Sequence, residues 1–142
     1  MQKILLAVDC SESCDKAVKK VLELAEEMEI ELTVLTVMET AVPKTYSEAY
    51  AREVYSHQED MEDNAREMLD SCTEVLQEKV KNINKVVKTG LPSEIICATA
   101  EKGDYDFVVV ADRGEGAVKR FLLGSTAERV TRHSPVSVLV VK

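Results

Sequence analysis

A chain of 142 residues matches one domain and is long enough to bury a core of its own. Its 45% apolar and 31% charged content excludes a disordered or fibrous chain. The net charge of −8 argues against broad nucleic-acid binding. No apolar run is long enough to span a membrane, and "MQKILLAVDCSE" turns polar too soon for a signal peptide. A cytoplasmic protein with no membrane partner is therefore expected.

In chain order, "KILLAV" (Lys3 to Val8) predicts a first strand, followed by the polar cluster "DCSES" in which Ser11 or Ser13 can cap a helix. Ala17, Val18, Val21, Leu24, Ala25 and Met28 recur at helical spacing, so a helix is expected over about Cys14 to Met28. "LTVLTVM" (Leu32 to Met38) reads as the second strand. The stretch from Glu39 to about His57 holds Pro43 and three tyrosines without a clear period and is expected to be a loop with some helical turns. From Glu59, the series Met61, Ala65, Met68, Leu69, Cys72, Leu76, Val80 marks a long amphipathic helix.

"INKVVK" (Ile83 to Lys88) predicts the third strand, and Pro92 stands where it would open the next helix. Gly103 is placed to end that helix. "DFVVVA" (Asp106 to Ala111) is the fourth strand, a helix starts at Ser125, and "VSVLVV" (Val136 to Val141) is the fifth strand. Strands that are nearly continuous apolar runs, alternating with helices, suit a parallel sheet covered on both faces. The expected fold is a single α/β domain over residues 1–142, doubly wound and open.

Ligands of such sheets bind at the carboxyl ends of strands, near the point where strand order reverses. Two polar segments lie at such ends, "VDCSES" and "ADRGEG". The second opens the stretch "ADRGEGAVKRFLLGST" (Ala111 to Thr126), which holds three of the five glycines. Between Ala111 and Ser134 stand five basic and three acidic residues in an otherwise acidic chain, a pattern suited to a small anion or to ordinary helix-surface arginines. The loop is neither a Walker A motif nor a Rossmann fingerprint. Its glycines can expose successive N–H groups ahead of the Ser125 helix, whose positive end favours phosphate. Alternatively, "STAE" is a capping box in which Ser125 caps the helix and Glu128 reaches back.

The four cysteines are scattered, so free thiols are expected rather than a metal or redox centre. His57 and His133 stand alone, and no nucleophile–base pair is visible. On these residues the chain is expected to be no enzyme.

From end to end the chain resembles the universal stress protein family. "ILLAVDCSE" is similar to that family's first strand and loop, and "LLGSTAERVTRHSPVSVLVV" to its C-terminal segment. ATP-binding members carry a glycine, two residues, a second glycine, nine residues, then glycine and serine or threonine. Gly114, Gly124 and Ser125 match that pattern, whereas its first glycine falls on Ala111. The resemblance implies a Rossmann-like five-stranded sheet of order 3-2-1-4-5 and a stress-related regulatory protein that binds ATP, alone or with Mg²⁺.

It further implies that Asp9 faces adenosine and Val37 lines the adenine slot, where the bare alternatives are a helix-dipole acid and plain strand core. Gly114, Gly116, Ser125 and Thr126 would meet the phosphates. Arg113 stands either to assist them or as a solvated loop arginine, and Asp112 and Glu115 either beside Mg²⁺ or as surface acids. A homodimer through Val136 to Val141 is implied as well, since an apolar edge strand needs a cover. The departure at Ala111 keeps a second reading open, a member that binds no nucleotide and works through protein contacts.

Overall fold

The computed structural model describes residues 1–9, 12–39, 48–113 and 122–142. Strands and helices alternate: β1 (Gln2–Ala7), α1 (Glu12–Glu27), β2 (Ile30–Met38), α2 (Glu48–Gln77), β3 (Asn82–Thr89), α3 (Pro92–Lys102), β4 (Phe107–Ala111), α4 (Ser125–His133) and β5 (Ser137–Val141). All five strands are parallel in the order β3-β2-β1-β4-β5. Ala7 lies level with Leu35 of β2, and Leu6 with Val109 of β4. The order therefore reverses at β1, and the loops after β1 and β4 flank one crevice.

Alternation along the strands divides the core in two. Ile4, Leu6, Val34 and Val109 face α1 and α2, meeting Val21, Leu69 and Leu76. Leu5, Leu35, Val108 and Val110 face the other way onto Ile96 and Ala100 of α3 and Val130 of α4. Burial of each such side chain stabilises the fold by about 1.5–3 kcal/mol. At the amino end of the sheet, Lys3 donates its N–H to Asp106 Oδ2 at 2.7 Å, and Tyr105 donates its hydroxyl to Thr33 Oγ1 at 2.9 Å. Those bonds fasten β1, β2 and β4 at the end opposite the crevice.

Most predicted elements recur within a residue or two. The exception is α2, which starts at Glu48, eleven residues before the expected helix, so the predicted loop is helical over its second half. Its sequence has neither glycine nor proline from 48 to 77. Tyr50, Arg52, Glu53, Ser56 and His57 are exposed there, so the described side chains of these turns set no apolar period. The predicted face takes hold lower down, where Leu69 and Leu76 are buried. Residues 40–47 of that predicted loop lie outside the described residues. Ser13 falls inside α1, and Ser11 lies outside the described residues.

Gly90 turns the chain from β3 into α3. Its φ of +147° is strained for any L side chain, and an added Cβ would press on Ile95. Pro92 opens α3 and Gly103 closes it, donating its N–H to the Thr99 carbonyl at 3.1 Å. This turn sets the start of α3 beside the crevice.

Candidate functional site

At the carboxyl end of the sheet lies a cavity of about 600 Å³, within the usual range for small-molecule sites. Its apolar walls come from both sides of the reversal: Ala7 of β1, Leu35 and Val37 of β2, Val110 of β4 and Ile96 of α3. Asp9 and Glu39 stand in the wall just beyond β1 and β2. Arg113, just beyond β4, and Gly124, Ser125 and Thr126 at the start of α4 form the opposite wall. β2 and β4 are two strand spacings apart, about 10 Å. One side of the cavity thus offers carboxylates and the other a guanidinium with a helix N-terminus.

The structure brings together Asp9, Val37, Ala111, Arg113, Gly124, Ser125 and Thr126, all of them predicted site residues. Gly114 and Gly116 lie outside the described residues, as do Glu115 and Cys10. The chain leaves β4 through Asp112 and returns at Gly124, whose N–H donates to the Asp112 carbonyl at 2.7 Å. Asp112 in turn donates its N–H to the Val141 carbonyl at 2.8 Å, tying the loop base to β5.

The capping-box reading of Ser125 is overturned. Gly124 is the N-cap of α4, with φ −60° and ψ 156°, and no side chain caps the helix. Ser125 is its first helical residue, and Glu128 Oε1 accepts from Arg132 Nη2 at 2.7 Å instead of reaching back. Ser125 and Thr126 border the cavity beside the uncapped turn.

Arg113 Nε lies 3.6 Å from Asp112 Oδ2, too long for a hydrogen bond. Both Arg113 Nε and Asp112 Oδ1 are buried without a hydrogen-bond partner. Buried polar atoms left so are costly unless a further group meets them, and Arg113 belongs to the cavity's basic wall. The donor set of this wall fits an anion.

Ala111 ends β4 level with Val141 in ordinary strand backbone, and the described non-glycine residues with positive φ do not include it. It packs against the core cluster on the α1 side while bordering the cavity. The backbone there needs no glycine.

Cys14 of α1, Glu39, and Pro92 and Ile96 of α3 are cavity residues that sequence reasoning did not assign. Pro92 opening a helix beside a strand end was the available signal for α3; Cys14 and Glu39 carried none. Burial pushes the Cys14 thiol up to about 12, the Asp9 carboxylate adding to it and a hydrogen bond from the Asp9 backbone partly offsetting it. Protonated, it serves as a small apolar part of the wall. Cys72 and Cys97 are half-buried, and His57 and His133 are exposed. Among the described residues no group of three or more acidic, cysteine or histidine side chains is placed to hold a metal. No described helix is long and apolar enough to cross a membrane.

The model of the universal stress protein family matches residues 1–142. The chain belongs to the universal stress protein family. A Staphylococcus saprophyticus protein described as a universal stress protein is 34% identical over 145 residues, covering 99% of this chain and 83% of that one. Universal stress protein UspA from Lactobacillus plantarum superposes with a TM-score of 0.88 at 22% identity, covering 99% of this chain and 97% of the other. A universal stress protein family protein from Arabidopsis thaliana, solved with AMP bound, gives a TM-score of 0.69 at 21% identity, covering 100% and 92%. These two solved structures share the fold of this universal stress protein: α/β, with the five-stranded parallel sheet in the order 3-2-1-4-5.

Proposed function

We propose that this universal stress protein is a cytoplasmic regulatory protein that binds ATP, alone or with Mg²⁺, in the cavity at the ends of β1 and β4. One observation carries the reading. Asp9 and Val37 on one side, and Arg113, Ser125 and Thr126 with the α4 N-terminus on the other, line a single cavity of about 600 Å³. Phosphates are favoured where the helix N-terminus and guanidinium converge, and a nucleoside about 10 Å away meets the apolar slot and carboxylates. The Arabidopsis structure, of a protein sharing this fold, contains AMP. Gly114 and Gly116 complete the phosphate side in this reading.

Ala111 packs against the α1-side core and borders a cavity that, with this methyl in place, measures about 600 Å³. The protein works by binding, with ATP hydrolysis weak at most; nucleotide occupancy changes how α3 and α4 sit, since both helices border the cavity. The protein acts as a homodimer paired through the strand at Val136 to Val141. In one copy that strand, β5, is a sheet edge whose Val138, Leu139 and Val140 stay half-exposed. A monomer by light scattering at micromolar concentration would remove the dimer. Mass spectrometry of nucleotide carried through purification, with MgATP calorimetry on wild type and Ala111→Gly, tests the binding. Adenine nucleotide and similar heats in both chains are expected. Heat in Ala111→Gly alone would make the methyl a block.

A further inference from the structure

A second cavity, of about 640 Å³, lies between α3 and α4 away from the nucleotide site. Its α3 wall carries Glu94, Cys97, Ala98 and Glu101, whose spacing places them on one helical stripe. Its α4 wall carries Arg129 and His133, one turn apart. The two acids, Arg129 and His133 are all exposed, and none has an ion-pair partner among the described residues. The Glu94 and Glu101 carboxylates and the Arg129 guanidinium thus line one groove without pairing. Apolar surface lies between them: Leu91 is 42% exposed, Pro135 is exposed, and Cys97 and Ala98 are half-buried.

We infer that this groove docks a second copy of the chain about a two-fold axis, the α3 wall of one copy meeting the α4 wall of the other. A two-fold contact is self-complementary by construction, so a surface that carries acids on one wall and bases on the other satisfies itself. Glu94 and Glu101 then meet Arg129 and His133 of the partner copy, and Leu91, Ala98 and Pro135 are covered. Complementary charge selects this register against like-charged alternatives. The groove shares no lining residue with the nucleotide cavity and none with β5, so the charge swap below reports on this contact and not on theirs.

A charge swap tests it. One chain carries Glu94→Lys and Glu101→Lys, the other Arg129→Glu and His133→Glu. Every substituted site is exposed, and circular dichroism checks that each chain folds. In the first chain both walls are basic and in the second both are acidic, so neither can pair with itself. Sedimentation equilibrium at low salt should show each variant lacking one doubling step that the wild type makes, its association weakened about tenfold or more. An equimolar mixture should regain the step, because each wall then finds its opposite. Variants that associate as the wild type does, or a mixture that fails to regain the step, would overturn the inference. A wild type lacking any step sensitive to these substitutions would overturn it too and assign the groove to a different partner.

Discussion

Gly124 donates its backbone N–H to the Asp112 carbonyl across 2.7 Å, so the segment between β4 and α4 is closed at its base before the helix begins. This single bond sets where Ser125 and Thr126 stand relative to Arg113. Gly124→Pro keeps the observed φ of −60° but removes the donor. We expect about 1 kcal/mol lower stability in urea, and nucleotide affinity reduced about tenfold as the loop base opens.

Ser125→Ala separates the two roles open to that hydroxyl. A capping serine would cost about 0.5–2 kcal/mol on removal. Here Gly124 is the cap, so stability should change by less than about 0.5 kcal/mol while ATP affinity falls several-fold. Thermal melts and calorimetry on the same sample read both numbers. A large loss of stability with unchanged binding would restore the capping role.

Arg113→Gln removes the basic wall's guanidinium charge. ATP affinity should drop about tenfold at low salt, and the gap between variant and wild type should narrow as salt rises. Affinity unchanged at every ionic strength would make Arg113 a bystander.

The Cys14 thiol, pushed up to about 12 by burial, predicts how stability depends on alkaline pH. In the unfolded chain the thiol ionises from its ordinary value of about 9.0, whereas the folded protein keeps it protonated. Its contribution is therefore fully present below pH 9 and is lost as pH rises toward 12, on the order of 4 kcal/mol over that window. Urea titrations from pH 8 to 11 should show a decline that Cys14→Ala largely removes. Equal declines in both chains would contradict the assignment.

Gly103→Ala probes the end of α3. A Cβ there would collide with the ring of Tyr105, whose hydroxyl bonds Thr33. Destabilisation of about 1–3 kcal/mol is expected from thermal melts.

The strands were legible because burial on both faces leaves continuous apolar runs such as "DFVVVA", and sheet order then placed Asp9, Ala111 and Ser125 around one crevice. What stayed hidden depends on what the chain packs against. In the first turns of α2 the described side chains from Tyr50 to His57 are exposed and carry no apolar period. Cys14 reads as one more apolar helix position, and only the meeting of α1 with the strand ends makes it a cavity wall. "STAE" satisfies the capping-box pattern, yet the Asp112–Gly124 bond holds Gly124 at the cap, and Glu128 turns to Arg132.

The most direct test of nucleotide binding is calorimetric titration of MgATP into wild type and into Asp9→Ala and Ser125→Ala/Thr126→Ala chains. Saturable heat in the wild type, with affinity at least about tenfold lower in both variant chains, is the predicted result. No saturable heat in the wild type, or equal affinity in all three, would contradict it.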